Sequence, residues 1–235
     1  MTRLVSAVPV VAEHTGRAVV LVGGLAVMCR LDAPYRATTD LDTVDRSVDG
    51  QQPQLELLLS AGAARSGPSG ALVSTPFGAV QVDVLQVTDA DIRDLPEDPT
   101  DRLHVLSHAW AASTATGLVL AADELPPLKV AVAEPGPIIA MKLQSIMNRG
   151  AAKEGTDLLD IVRLTLDRTC GPTSREQLAA ADRLLRADAL LHARRWFDQA
   201  ADRSLKRVRA VPEGASLEVD DLRLVGDLLI AALDR

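Results

Sequence analysis

Aromatic residues are scarce in this sequence. Its 235 residues include only five of them: Tyr35, Phe77, Trp110, Trp196 and Phe197. A core must therefore be built mainly from Leu, Val, Ala and Ile, and the hydrophobic content of 47% is that of a globular domain. The scarcity disfavours proteins that bind single-stranded nucleic acid by stacking its bases on rows of aromatic side chains.

Cysteine and long apolar runs are also lacking. Cys29 and Cys170 are too few for a disulfide framework or a cysteine-rich zinc site, so we expect reduced thiols and a cytoplasmic protein. The longest apolar stretch, 18–29, has 12 residues and two glycines, whereas a transmembrane helix needs about 20 residues. No small-residue cleavage site follows the N-terminal valines. The sequence therefore predicts neither a signal peptide nor a membrane contact.

Basic residues are fewer than acidic ones. Lys and Arg total 25, Asp and Glu total 32, and the net charge of −7 excludes a uniformly basic surface for nucleic acid. The charge is uneven, because residues 183–209 contain eight basic and three acidic residues, a net +5, which leaves −12 for the remainder. This basic segment is either a solvated helix face or a local site for an anionic partner. Its basic residues are Arg183, Arg186, Arg194, Arg195, Arg203, Lys206, Arg207 and Arg209.

The hydrophobic pattern changes from mixed to helical near residue 135. Short β-branched or alternating runs predict strands, and apolar spacings of three and four predict helices. The predicted strands are 18–22, 40–45, 71–75, 79–87, 117–120 and 128–132. The predicted helices are 25–31, 51–61, 138–149, a helix that buries Leu158, Leu159, Val162 and Leu166, then 174–186, 188–208 and 219–234, and the Asp- and Pro-rich stretch 88–100 is a predicted loop. This order predicts an α+β protein with a mixed-sheet domain over 1–134 and a helical domain over 135–235.

Three features of the first half point to chemistry when they are taken in order. Gly23 and Gly24 lie between a predicted strand and a predicted helix, where a glycine turn lets phosphates approach the backbone amides of the helix start. Asp40 and Asp42 are two residues apart, so on a strand both carboxylates project from one face. Asp83 lies in an alternating strand, on the face opposite its valines. If the two strands are neighbours, three carboxylates converge.

A cluster of three carboxylates is repulsive unless cations neutralise it. Oxygen-only ligands favour hard divalent ions such as Mg²⁺ or Mn²⁺, and a pair of such ions about 4 Å apart can clamp a phosphoryl displacement. Taken singly, each feature has an ordinary explanation: a tight turn, a solvated Asp-x-Asp loop or helix cap, and a strand aspartate that faces water. Their ordered combination is more specific.

The same order resembles one known active-site layout. The segment LVGGLAVMCRLDAPYRATTDLDTVD is similar to the opening of the nucleotidyltransferase superfamily with a polymerase-β-type palm, and most similar to AbiEii/MenT-type proteins, the toxins of type IV toxin–antitoxin systems. VQVDVL resembles that family's third-carboxylate strand, and MKLQSIMNRGAAKEGTDLLDIVRL resembles its second motif block. The resemblance covers residues 18–166. The matching positions are Gly23, Gly24, Arg36, Thr39, Asp40, Asp42, Asp83, Lys142, Arg149, Lys153 and Asp157, and Glu154 stands where the family usually has aspartate.

The resemblance implies an activity and a cofactor. The activity is transfer of a nucleoside monophosphate from an NTP to an acceptor hydroxyl, with release of pyrophosphate. Asp40 and Asp42 would hold Mg²⁺ or Mn²⁺, and Asp83 would bind one of these ions and lower the proton affinity of the acceptor hydroxyl. The implied fold is a palm, a mixed sheet with flanking helices, followed by a helical half that completes the active site.

Further residues receive implied roles in substrate binding. Gly23 and Gly24 would seat the β- and γ-phosphates, and Thr39 belongs to the same nucleotide-binding set. Lys142 would pair with the triphosphate and neutralise the leaving pyrophosphate, while Asp157 would orient Lys142 or a neighbouring basic residue. Arg36 would contact the nucleotide phosphates or the acceptor. The alternatives are that Lys142 is an ordinary surface lysine and that Asp157 merely stabilises the start of its helix.

The acceptor is left open among several classes. The resemblance favours the 3′ end of tRNA, with the basic segment 183–209 contacting phosphates, and a growth-inhibiting toxin with a cognate antitoxin. A small-molecule transferase of the aminoglycoside type is the alternative, for which the acidic residues Asp89, Asp91, Asp94, Glu97 and Asp98 would attract a polycation. Protein AMPylation and a catalytically silent binding module are two further alternatives.

Overall fold

The computed structural model describes residues 1–148 and 150–235 and has the predicted α+β class, with a mixed sheet followed by a helical C-terminal half. The strands are β1 (Val20–Leu21), β2 (Asp40–Ser47), β3 (Ala64–Arg65), β4 (Gly70–Thr75), β5 (Gly78–Thr88), β6 (Thr116–Ala122) and β7 (Leu125–Val132). The helices are α1 (Thr2–Thr15), α2 (Gly23–Arg30), α3 (Gln54–Ser60), α4 (Asp89–Arg93), α5 (Pro99–Thr114), α6 (Pro135–Ser145), α7 (Ala151–Leu166), α8 (Cys170–Ala180), α9 (Arg183–Ala193), α10 (Ala201–Arg209) and α11 (Val219–Leu233).

The chain forms two compact units. The sheet unit contains Met1–Cys29, Arg36–Asp94 and His108–Glu134, and the helical unit contains Arg30–Tyr35, Leu95–Ser107 and Pro135–Arg235. The last division falls between Glu134 and Pro135, and two short segments of the first half belong to the helical unit. Across residues 1–148 and 150–235, no helix is long and apolar enough to cross a membrane.

The sheet unit is organised around two central parallel strands. The strand order is β3-β4-β5-β2-β1-β7-β6, and β2 runs parallel to β5 with Asp42 opposite Asp83. β1 is antiparallel to β2 and parallel to β7, while β4 and β6 continue the sheet by antiparallel pairing with β5 and β7. β2 and β5 are therefore neighbours, which is the condition for the predicted carboxylate cluster to form.

The alternation of β5 fixes which face of the sheet is buried. Val80, Val82 and Val84 are buried, whereas Gln81 and Asp83 between them are half-buried. Helices α1 and α3 pack on β4 and β5 and supply the other half of this core. A register shift of one residue would bury Asp83 and expose the valines, so the burial of the valines holds the aspartate on its face.

The helical unit buries a Leu- and Ile-rich core. On α7, Leu158, Leu159 and Val162 are fully buried as predicted, but Leu166 at the last turn is 39% exposed. Two of the five aromatic residues, Trp196 and Phe197, are buried in the π-helical turn Arg194–Gln199 between α9 and α10. Gly226 of α11 gives Phe197 room, because a Cβ at this glycine would lie 3.0 Å from Phe197 Cβ.

The prediction of a loop over 88–100 is correct only for 94–98, because α4 and the start of α5 occupy the two ends of the stretch. Thr88 and Asp91 form a reciprocal capping box that begins α4, and Asp98 accepts hydrogen bonds from the backbone N–H groups of Thr100 and Asp101 at the start of α5. Asp91, Asp98 and Pro99 therefore act as helix-start residues rather than as loop residues. α1 was not predicted either, although it runs through Pro9.

The two helices predicted over 174–186 and 188–208 are also divided differently. The first break comes at Ala181 and Asp182, where the Asp182 side chain accepts a hydrogen bond from the N–H of Leu184 and begins α9. The second comes at the π-helical turn and Ala200, before α10. An N-cap aspartate inside a continuous helical pattern was the signal for the first break.

Candidate functional site

The three predicted carboxylates lie together in the sheet unit. Asp40 and Asp42 on β2 and Asp83 on β5 are half-buried, and one oxygen from each lies within 4.8 Å of the others. Alternation along β2 puts Asp40 and Asp42 on one face, and the parallel register puts Asp83 directly beside Asp42. The donor set consists of carboxylate oxygens alone, which fits Mg²⁺ or Mn²⁺ and does not fit a soft metal.

The Gly-Gly turn forms one wall of this cluster. Gly23 has φ +63°, and a Cβ there would lie 1.9 Å from Asp42 Oδ2. The N–H of Gly24 points at the same Oδ2 atom, with an N–O distance of 3.4 Å. Glycine is required at position 23 both for the left-handed backbone and for the space that Asp42 occupies. The turn and the start of α2 thus lie directly beside the carboxylates.

Two polar side chains that the sequence did not single out hold the carboxylates. The Thr38 hydroxyl donates to Asp40 Oδ1 at 2.8 Å, and the Gln81 amide donates to Asp83 Oδ1 at 2.7 Å. Gly70 on β4 leaves the room for this second pair, because a Cβ there would lie 2.6 Å from Asp83 Oδ1. The contact of Gln81 with Asp83 could have been predicted from the sequence, because the two residues are two apart and lie on the same face of the strand.

Thr39 and Arg36 have different surroundings. Thr39 is exposed, and its neighbour Thr38 makes the contact with Asp40. The Arg36 guanidinium lies close to the turn, since a Cβ on Gly24 would be 3.0 Å from Arg36 Nη2. An arginine beside a glycine turn and a carboxylate cluster has the charge that a nucleotide phosphate requires. The nucleotide-binding roles of Thr39 and Arg36 stay predictions.

Lys142 and Asp157 belong to the helical unit, where they form a buried ion pair. Lys142 Nζ on α6 lies 2.7 Å from Asp157 Oδ1 and 2.6 Å from Asp160 Oδ2, both on α7. Ser145 donates to the second oxygen of Asp157, and the Tyr35 hydroxyl donates to Asp160. Lys142 is therefore a buried lysine rather than a surface one, and its phosphate-binding role stays a prediction.

The charge of Lys142 is maintained by its neighbours. Burial by itself penalises the ammonium, but attraction to Asp157 and Asp160 and the hydrogen bonds to both outweigh this, so the pKa of Lys142 is raised. Asp160, fully buried, was missed by the motif comparison. Its signal is the spacing of three from Asp157, which places both carboxylates on one face of a helix.

The basic segment 183–209 is largely engaged within the helical unit. Glu154, whose role was open, is buried on α7 and lies 3.4 Å from both Arg203 and Arg207 of α10. Arg194 pairs with Asp234, Arg209 pairs with Glu218, and Arg186 donates to the Ala179 and Arg235 carbonyls. Arg183, Arg195 and Lys206 are exposed. The surface available to an anionic partner is thus smaller than the +5 charge of the segment indicates.

Three of the five acidic residues proposed to attract a polycation make contacts within the chain, while Asp94 and Glu97 are exposed. Asp89 pairs with Arg46, Asp91 belongs to the capping box of α4, and Asp98 caps α5. The hydrogen bond from Arg46 is the main cause that lowers the pKa of Asp89. Arg149, a further motif position, lies outside the described residues, and Lys153 is exposed on α7.

Comparison with solved structures gives several likenesses, of which two are described. The chain is similar to an antigenic nucleotidyltransferase-like protein from Paracoccidioides brasiliensis, with 22% identity, a TM-score of 0.46 and coverage of 88% of this chain and 93% of that one. It is also similar to a candidate nucleotidyltransferase from H. pylori, with 13% identity, a TM-score of 0.45 and coverage of 99% and 94%. No protein-family model matches the chain, and no curated protein matches it. At these sequence identities and TM-scores, neither likeness assigns a family or an activity to this chain.

Proposed function

We propose that the protein is a metal-dependent nucleotidyltransferase that moves a nucleoside monophosphate from an NTP to an acceptor hydroxyl. The observation that carries the proposal is the convergence of Asp40, Asp42 and Asp83 beside the Gly23–Gly24 turn. One wall of the cluster thus offers backbone N–H groups to phosphates, and the other offers carboxylates to divalent cations. A solvated Asp-x-Asp loop does not explain why a third carboxylate stands in register on the next strand.

The metal residues and the metal's contribution follow from the donor set. Asp40, Asp42 and Asp83 would hold Mg²⁺ or Mn²⁺. When bound, the cations supply positive charge that offsets the repulsion among the carboxylates and stabilises the charge on the phosphates. Thr38 and Gln81 fix the orientation of Asp40 and Asp83 by hydrogen bonds, so the carboxylates are held in place before any ion enters.

The chain's own groups account for substrate binding and proton transfer. The first N–H groups of α2 bind phosphate oxygens, and Arg36 adds a positive charge beside them. The acceptor oxygen forms a bond to the α-phosphorus, the bond from that phosphorus to the bridging oxygen of pyrophosphate breaks, and Asp83 takes the acceptor proton. We also propose that Lys142 takes part in binding the triphosphate, as the resemblance to the family's second motif block implies.

The acceptor that we propose is the 3′ end of tRNA. Arg183, Arg195 and Lys206 support this choice, because they are exposed cations on one segment of the helical unit. The small-molecule alternative has less support, since three of the five acidic residues that would attract a polycation, Asp89, Asp91 and Asp98, pair with Arg46 or cap helices. We further propose that the activity inhibits growth as the toxin of a toxin–antitoxin pair, in the cytoplasm.

Labelled NTPs test the activity and the acceptor together. The wild type is incubated with each α-³²P-labelled NTP, Mg²⁺ and total tRNA, beside an Asp40→Asn/Asp42→Asn variant and an Asp49→Asn control. Asp49 is an exposed carboxylate of the same unit that pairs with Arg93, so its loss removes charge away from the cluster. We expect labelled tRNA with the wild type and the control and none with the double variant.

Other outcomes separate the proposals. Label on an aminoglycoside or a protein, but not on RNA, would leave the transferase and overturn the RNA acceptor. Absence of pyrophosphate release with every NTP, together with no Mn²⁺-induced rise in melting temperature, would overturn the transferase and favour the silent binding module. Growth arrest on expression that depends on Asp40 and Asp42 tests the toxin role.

A further inference from the structure

The terminal strand β6 has an edge that lacks the usual protection. It ends the sheet, pairs with β7 alone within the described residues, and has the uncharged sequence TGLVLAA. None of its seven residues is buried, and Val119 at its centre is 67% exposed. Natural proteins shield such edges with charges, prolines, bulges, very short strands or a covering element, because an exposed apolar edge pairs with other chains. The pairing of β6 with β7 shifts register between Leu120 and Ala122, near the end of the strand, whereas Thr116–Leu120 pair regularly.

The opposite edge of the same sheet shows that protection. β3 has only two residues, Ala64 and Arg65, and Arg65 is charged and pairs with Glu56 at 2.9 Å. A short, charged edge resists strand addition. Of the two sheet edges in the described part of the chain, the β6 edge is therefore the one suited to pairing, and pairing through one edge per chain closes at two copies instead of growing into a filament.

We propose that β6 pairs with β6 of a second copy of this chain, antiparallel about a two-fold axis at Val119. The sequence of β6 is self-complementary about that residue. Leu118 then lies opposite Leu120 of the second copy, Gly117 lies opposite Ala121, and Val119 lies opposite itself. No like charges meet, and the two leucine pairs are apolar on both sides, as cross-strand pairs in a stable sheet are.

The neighbouring strand continues the same pattern. Leu118 pairs with Val130 of β7 and Leu120 pairs with Leu128, so each leucine row extends across the junction as four apolar side chains. Leu118, Leu120 and Leu128 are half-buried in the single chain, and pairing completes their burial. Apolar area removed from water contributes roughly 25 cal/mol per Å².

Charge also favours a second copy over an unrelated strand. The Lys129 side chain lies over Gly117, since a Cβ there would be 2.9 Å from Lys129 Cε. In the proposed register the acidic turn of the second copy, Asp123 and Glu124, begins two residues from the position opposite Gly117. Lys129 of each copy thus lies towards the acidic turn of the other.

Seven paired residues make a small interface. Stable dimers bury about 1,200–2,000 Å² in total, which one strand pair does not reach, so we expect a weak dimer that dissociates on dilution. Sedimentation velocity over 5–300 µM tests this expectation. The wild type should move from the 25.0 kDa monomer towards twice that mass as its concentration rises.

Two matched lysine variants locate the interface. Val119→Lys should stay monomeric throughout the range, whereas Val48→Lys should behave like the wild type, because Val48 is 48% exposed and lies off the β6 edge. Equal melting temperatures would exclude unfolding as the cause. A wild type that stays monomeric at every concentration, or a Val119→Lys variant that dimerises like the wild type, overturns the proposal.

Disulfide trapping tests the register. Opposed strand residues have Cα atoms about 4.5–5.5 Å apart, within the range that a disulfide spans. Val119→Cys should form a cross-linked dimer on mild oxidation, and a mixture of Gly117→Cys and Ala121→Cys chains should form a mixed one. Wild type, with buried Cys170 and half-buried Cys29, and Val48→Cys should not cross-link. Absence of the Val119→Cys dimer contradicts the two-fold axis at Val119.

Discussion

The Asp42 side chain fills the space that a side chain at position 23 would need, so position 23 is a glycine. The left-handed backbone of the glycine and the position of the Asp42 carboxylate are therefore one structural feature, and the geometry of the carboxylate cluster depends on both. In the buried ion pair of the helical unit, too, the position of one residue depends on its partners. Lys142 pairs with Asp157 and Asp160 at the same time, so the removal of its ammonium affects both carboxylates.

Gly23→Ala should weaken divalent-cation binding, because its Cβ displaces Asp42. Gly16→Ala is the matched control, since Gly16 has the same φ of +63° but nothing within 4 Å of an added Cβ. Both variants pay the left-handed strain of about 1–2 kcal/mol, and only Gly23→Ala should raise the Mn²⁺ dissociation constant, measured by isothermal titration. Equal binding by the two variants would show that the close approach of residue 23 to Asp42 has no effect on the metal site.

Lys142→Met should destabilise the helical unit by about 3–5 kcal/mol, because it removes the ammonium that pairs with two buried carboxylates. Lys153→Met, on an exposed position of α7, is the control and should change the free energy of unfolding by less than about 0.5 kcal/mol. Urea denaturation at pH 7 measures both. A small loss with Lys142→Met would show that the ion pair with Asp157 and Asp160 contributes little to the stability of the helical unit.

At the scale of elements, α7 combines two contacts. One face carries Asp157 and Asp160 towards α6, and Gly155 gives close approach to α10, where Glu154 meets Arg203 and Arg207. Strand register has a comparable effect in the sheet unit, because the valines of β5 decide on which face Asp83 lies. Such positions follow from packing rather than from the chemistry of the residue itself.

Gly155→Ala should separate α7 from α10. An added Cβ would lie 2.3 Å from the Arg207 carbonyl oxygen, a backbone atom that cannot move independently of its helix. We expect a loss of about 1–3 kcal/mol in the free energy of unfolding, despite the higher helix propensity of alanine. Lys153→Ala on the same helix is the control. A gain in stability, read from urea denaturation, would show that the helices adjust without strain.

At the scale of the whole molecule, opposite charges are paired more than their sequence distribution indicates. Arginines of the +5 segment form ion pairs with three acidic residues of the −12 remainder, Glu154, Glu218 and Asp234. The bidentate contact between Arg102 and Asp188 raises the pKa of Arg102. Beside it lies His192, which is buried, and within the described residues neither ring nitrogen has a hydrogen-bond partner.

His192 should make stability fall in weak acid. Burial is the main cause that lowers its pKa, partly opposed by Asp188 and Asp98 and reinforced by Arg195. The unfolded state binds the proton more tightly, so this contribution is present above a pH of about 6.5 and is lost as pH falls, by at most about 1.4 kcal/mol per pH unit. Urea denaturation at pH 7.0 and 5.5 should show a smaller difference for His192→Leu than for the wild type. An unchanged difference would assign the slope to other groups.

The sequence by itself determined the pieces of the carboxylate cluster. Strand alternation fixes the faces of Asp40, Asp42 and Asp83, and glycine at position 23 fixes the turn, because these are local properties of the backbone. The α+β class and the change to helix near residue 135 follow from local periodicity in the same way. Asp98 and Asp182 are local signals of the same kind, because an aspartate side chain that accepts the first N–H groups of a helix marks where that helix begins.

Only the tertiary structure decided which elements are neighbours. The parallel pairing of β2 with β5 brings Asp83 to Asp42, and the packing of α6 on α7 makes Lys142 a buried lysine with a second partner in Asp160. The pairing of Glu154 with Arg203 and Arg207 of α10 likewise offsets part of the positive charge of the basic segment. These contacts join residues distant in sequence, and long-range packing, rather than periodicity or composition, sets their distance, burial and charge state.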